Sequence, residues 1–152
     1  MDTITKEERS EIMSRVKSKN SRPEIFVRSF LHRSGFRFRI HVKNLPGKPD
    51  IVLPKYKAVV FVNGCFWHGH SDSSCKLARM PKSNTEFWQG KITKNHIRDV
   101  EKQAQLCKLG WRVFVVWECQ LAHPEKILSQ LGQDIASVKN DADTFEYRPQ
   151  QI

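Results

Sequence analysis

The chain has 152 residues, enough for one domain with a hydrophobic core and too few for two ordinary ones. Its formal charge is +10, and residues 1–48 hold 12 Lys/Arg against 5 Asp/Glu while residues 76–108 hold 8 against 3, two basic blocks that would draw in a polyanion such as DNA or RNA. No N-terminal apolar run has the form of a signal peptide, no stretch nears the ~20 apolar residues of a helical membrane span, and no basic amphipathic helix or lipid anchor stands out; the expectation is a cytoplasmic protein, whose reducing surroundings argue against pairing Cys65, Cys75, Cys107 and Cys119 as disulfides.

Taken in chain order, residues 6–17 favour a helix whose thin apolar face of Ile12, Met13 and Val16 suits an arm laid against a partner or the domain edge. Ser21 caps a second helix, with Pro23 and Glu24 in its first turn, an inward stripe of Ile25, Phe26, Phe30 and Leu31, and Gly35 as its stop. The alternation in FRFRIHV, residues 36–42, predicts a strand with Phe36, Phe38 and Ile40 facing a core. NLPGKPD follows as a turn. IVL and KAVVFVNG then read as two strands joined through Pro54 and Lys55, with Asp50 at the entrance of the first. From Cys65 to Ser83 no period is visible, which predicts a long loop, costly to order unless something ties it down.

Residues 85–109 predict a long helix that buries Phe87, Trp88, Ile92, Val100, Ala104 and Leu109 and stops at Gly110. WRVFVVWEC is nearly continuously apolar and reads as a central strand covered on both faces. A last helix runs from Pro124 to Val138, and the polar end is expected to be loosely held. The order α-α-β-β-β-α-β-α predicts an α/β fold, a mixed sheet with helices on its faces. It divides the chain into an arm over residues 1–20, a core over 21–140 and a tail over 141–152.

The loop contains FVNGCFWHGHSDSSC, in which Cys65 and Cys75 bracket His70 with four residues on either side. Zinc takes Cys and His tetrahedrally, and a structural site closes with four ligands. Cys119, at the end of the later strand, reaches the same sheet edge if that strand lies beside the one ending near Gly64, so Cys65, His70, Cys75 and Cys119 form the candidate zinc set. Buried or incidental thiols are the alternative. Cys107, in mid-helix, reads as a packing residue.

Phosphodiester hydrolysis needs water activation and a divalent ion on the phosphate oxygens. Asp50 is a candidate Mg²⁺ anchor, because carboxylate oxygens suit that hard cation. His68 is a candidate base, Asp99 on the long helix a group to orient it, and Glu24 a candidate to hold a water or hydroxyl bound to the metal. Each has an ordinary alternative: a strand cap for Asp50, a first-turn acid for Glu24, an exposed helix acid for Asp99, a loop hydrogen bond for His68.

PGKPD, NGCFWHGH, TEFWQGKITKN, the RD at 98–99 and LGWRVFVVWEC occur in an order that resembles the very short patch repair (Vsr) DNA mismatch endonuclease family over residues 6–130. The resemblance implies a restriction-endonuclease-like single domain with a structural zinc. It also implies a Mg²⁺-dependent enzyme that nicks duplex DNA 5′ to the T of a T·G mismatch, most simply as a monomer in the bacterial cytoplasm, with mismatch-repair proteins as possible partners. On it, Asp50 binds Mg²⁺, His68 activates water, Glu24 and Asp99 assist, and zinc falls on Cys65, His70, Cys75 and Cys119.

Two departures stand out. The restriction fold commonly has acid-x-Lys on the next strand where this chain reads VFVNG, so the second metal contact is expected from the Val62 backbone carbonyl. The family pattern has Thr-His where this chain has Val62 and Asn63, and an amide at Asn63 cannot act as an imidazole acid or base. Phe66 and Trp67 read either as loop packing or as a wedge at a weakly stacked mismatch, and the resemblance favours a wedge with Met13 entering from the other side. A restriction-type or structure-specific nuclease on the same scaffold, and a zinc-stabilised DNA-binding protein that no longer cuts, are the competing readings.

Overall fold

The computed structural model describes residues 21–70, 75–137 and 144–146. The expected arm helix, with Met13, lies outside the described residues. Helix α1 (Arg22–Arg33) starts where Ser21 Oγ accepts the Glu24 amide at 3.4 Å, and ends before Gly35, whose φ of +96° suits a glycine. Its inward face is Glu24, Val27 and Leu31, spaced at helical period; Ile25 and Phe26, expected inward, are 48% and 44% exposed.

The expected strand at 36–42 does not form. Arg39 and Val52 exchange one pair of backbone hydrogen bonds, and the chain then leaves the sheet through His41 at φ +57°. Phe36 is buried and Phe38 packs on the core, whereas Ile40 is 37% exposed. Strand β1 (Ile51–Leu53) is only three residues long and gives a longer partner nothing to pair with.

A 3₁₀ turn at Pro54–Tyr56 leads into β2 (Ala58–Asn63), antiparallel to β1. Helix α2 (Thr85–Lys108) crosses over to β3 (Arg112–Trp117), which runs parallel to β2 and is buried along its whole length. Helix α3 (Pro124–Ala136) follows. Residues Thr144–Glu146, expected in a loose tail, form β4, parallel to β3. The mixed sheet has order β1-β2-β3-β4 and is flanked by helices, the restriction-endonuclease-like arrangement. Val60, Val62, Phe114 and Val116 meet α1 and α3 on one face; Val59, Val113 and Val115 meet Leu106 of α2 on the other. Trp88 and Ile92 are also buried on α2, but Phe87, Val100, Ala104 and Leu109, expected inward, are exposed. An apolar residue on the outer helical face gains nothing from the sheet below.

Buried Arg112 ties the start of β3 to α3. Its guanidinium donates to the Tyr56, Asp134, Ile135 and Ser137 carbonyls at 2.8–3.1 Å, satisfying oxygens that a helix C-terminus leaves without intrahelical partners. Arg112→Met should cost about 2–4 kcal/mol of unfolding free energy, because the carbonyls stay buried and lose their donor. Urea denaturation reads this as a lower midpoint at constant slope, and an unchanged midpoint would deny Arg112 that role.

Candidate active site and metal centre

The parallel register pairs Asn63 with Trp117, so Cys65 and Cys119 each lie two residues beyond a paired strand end on one sheet edge. The Cys119 amide donates to Cys65 Sγ at 3.3 Å, and the His70 amide donates to the Cys65 carbonyl at 2.9 Å. Gly69 makes the tight return possible: its φ is +64°, and a Cβ there would lie 2.8 Å from Ile92 Cγ2. The His70 ring stacks on Trp117 at 4.2 Å between centroids.

The ligand atoms of Cys65, His70, Cys75 and Cys119 all lie within 4.8 Å of one another. His70 Nδ1 is 3.5 Å from Cys119 Sγ, close to the roughly 3.6 Å edge that ordinary Zn–S and Zn–N bond lengths give a tetrahedron. Burial pushes the Cys65 thiol up, as neighbouring thiols also do, against the lowering influence of the Cys119 amide. A closed soft S₃N set fits a structural zinc-like metal. Cys107 lies outside it and packs beside the Leu106 cluster. Purified protein should carry about one zinc per chain, and Cys65→Ser should lose it and melt at lower temperature; a metal-replete, equally stable Cys65→Ser protein would disprove this ligand set.

Between the soft ligands, His68 is turned toward α2. Its Nδ1 is 2.5 Å from Asp99 Oδ2, and the two side chains are 30% and 22% exposed. An ionised carboxylate only accepts, so the shared proton belongs on Nδ1 and leaves Nε2 as the basic nitrogen. Asn95 Nδ2 donates to the Trp67 carbonyl at 2.9 Å and pins the same loop to the same helix.

Asp50, half-buried just before β1, accepts the Val62 amide on Oδ2 at 2.7 Å. Its carboxyl is pushed up from 3.8 to about 7, chiefly by burial and further by Glu24, against the Val62 amide and the positive influence of His68 and Arg28. Glu24 is buried and bound to Arg28 Nη2 at 3.0 Å. Continuing the β1–β2 register puts Pro49 opposite Val62, and a proline has no N–H for the Val62 carbonyl. A carboxylate and a backbone carbonyl are both hard oxygen donors of the kind Mg²⁺ takes. Asn63 is buried at the end of β2.

Phe66 and Trp67 are half-buried and meet Trp88 edge-on at 5.6 and 6.0 Å, with Phe87 against Trp88 and Lys91 above Trp67. Met13, their expected counterpart, is outside the described residues. Sequence reasoning missed Arg28, although Glu24-x-x-x-Arg28 is a visible i,i+4 ion pair. It placed Trp88 in the core, as found, but not against Phe66 and Trp67, and it missed Asn95 and Trp117, for which no local signal exists.

Because the raised Asp50 favours its protonated form in the folded chain, the native state binds the extra proton between pH 4 and 7. The stability this proton brings is complete below pH 4 and lost as pH rises through 7. Without added divalent cation, Asp50→Asn should therefore be more stable than the parent at pH 8, by on the order of 1–3 kcal/mol, and the gap should narrow toward pH 5. A gap that is absent or widens on acidification would contradict the buried carboxylate.

A family model described as DNA mismatch endonuclease Vsr matches residues 1–75. The type II nicking enzyme V.XorIIP of Xanthomonas oryzae is 48% identical over 142 residues, covering 93% of this chain and 97% of that protein. V.NmeAIP of Neisseria meningitidis is 47% identical, covering 91% and 97%. DNA mismatch endonuclease Vsr of Escherichia coli is 40% identical, covering 85% and 81%.

Proposed function

From the premise that the chain belongs to the DNA mismatch endonuclease Vsr family and is a nicking endonuclease acting on DNA, we propose that it hydrolyses one strand 5′ to the T of a T·G mismatch, with Mg²⁺ as its catalytic ion. The observation that carries this reading is the His68–Asp99 pair close to Asp50, whose charge His68 influences. Asp50 and the Val62 carbonyl would hold Mg²⁺, with Glu24 beside them. When bound, that ion supplies Lewis-acid stabilisation of charge on the phosphate oxygens.

His68 Nε2 takes a proton from the attacking water, and Asp99 keeps the proton on Nδ1 and stabilises the imidazolium as it forms. The water oxygen bonds to phosphorus, the bond to the leaving oxygen breaks, and that oxygen takes its proton from solvent, since the Asn63 amide does not supply one. Phe66 and Trp67, with Trp88 behind them, are suited to stacking at an opened base step, and a T·G pair opens at lower cost than a Watson–Crick pair. Met13 is assigned to the opposite side of that step. One active site making one nick suits a monomer.

Single-turnover nicking on otherwise identical duplexes tests the reading. T·G should be cut faster than T·A or C·G, His68→Ala should be slowed by about 10²–10⁴-fold, and Asp99→Asn should fall in a similar range because the wrong tautomer is then favoured. Equal rates on paired and mismatched DNA would favour a restriction-type target, and near-parent activity in either variant would remove the base assignment.

A further inference from the structure

Beside Asp50, between α1 and the 41–50 loop, lies an open cavity of about 190 Å³. That is below the ~300–1,000 Å³ of ordinary small-molecule sites, so it suits one small charged group rather than a whole nucleotide. Its lining is divided by charge: Glu24 and Asp50 are acidic, and Arg28, His41, Lys43 and Lys48 are donors or cations. His41 and Lys48 hold φ of +57° and +48°, an uncommon region for residues with a side chain. Such conformations gather at ligand sites, where the surrounding structure enforces them.

Arg28 differs from the exposed rim. Its side chain is 13% exposed and fixed by Glu24, so the guanidinium is presented with little rotamer freedom left to lose, while its charge offsets the carboxylate beneath an incoming anion. Among the described residues, Asp50 lines one side of the cavity and His68 does not line it. A phosphate held on the Arg28 and lysine side would therefore neighbour the one on which Asp50 and His68 act.

We propose that the cavity is a phosphate subsite, which takes a phosphodiester of the nicked strand adjoining the scissile one, held by Arg28 from within and by Lys43 and Lys48 at the rim. This rests on the DNA-nicking reading and adds to it a residue-level determinant of strand register. Backbone contacts of this kind set where a protein sits on DNA without reading its sequence.

The test is a coupling measurement on the full-length protein. Duplexes carrying a single neutral methylphosphonate at successive linkages around a T·G pair are titrated against the parent, Lys43→Gln/Lys48→Gln and Arg28→Met. Thermal melting confirms that each variant is folded, and the exposed lysine pair keeps the test available should Arg28→Met fail to fold. One linkage next to the nick should weaken parent binding about tenfold, and the same change should weaken binding by the lysine variant only about threefold, since Arg28 alone is left to lose its partner. Equal losses for parent and variants at every linkage would overturn the subsite. Because the readout is binding, it stands whether or not T·G is preferred: loss of that preference contradicts the mismatch reading, and loss of coupling contradicts the subsite.

Discussion

The parallel pairing of β2 with β3 is the constraint from which the site follows. Its register, Asn63 opposite Trp117, delivers Cys65 and Cys119 to one sheet edge although 54 positions separate them in the chain. Parallel neighbours need a crossover, and here the crossover is α2, which therefore lies over the loop that leaves β2. The helix then supplies Asp99 to His68 and Asn95 to the Trp67 carbonyl. One ladder thus sets the soft-metal cluster, the orientation of His68 and the aromatic group against Trp88.

The two kinds of donor are kept apart by chemistry rather than by distance along the chain, since Val62 stands only three residues before Cys65. Sulfur and imidazole close around one point beyond the strand ends, whereas Asp50 stands just before β1 with its carboxylate on the Val62 amide of β2. The hard-donor side carries a stability cost. Asp50 is crowded by Glu24 and removed from water, and the nearby positive groups and the Val62 amide offset that only in part. A cation bound beside Asp50 would relieve that cost by favouring the charged form.

Legibility in the sequence tracked how local each signal was. Ser21, Glu24 and Gly35 announced α1, and the apolar runs at 58–63 and 112–117 announced the central strands, because caps and continuous hydrophobicity act within a few residues. The four soft ligands were legible because their chemistry is scarce. The alternation at 36–42 misled, since a period of two marks a strand only where a neighbour can pair with it, and β1 is too short. Val100 and Leu109 misled in the same way: being apolar did not decide which helical face they occupied. Arg112, reaching carbonyls at Tyr56 and at the end of α3, and Trp117 beneath His70 depend on tertiary approach, which no local pattern records.

Metal bound by Cys65, His70, Cys75 and Cys119 would order the 64–70 loop and so hold His68 against Asp99. The His68 and His70 amides, which donate to the Gly64 and Cys65 carbonyls, report this directly through hydrogen exchange before and after zinc is removed by a chelator. With the metal gone, both amides should lose at least about tenfold in protection while Val60 and Val115 in the sheet keep theirs. Unchanged protection of His68 and His70 in the zinc-free protein would contradict it.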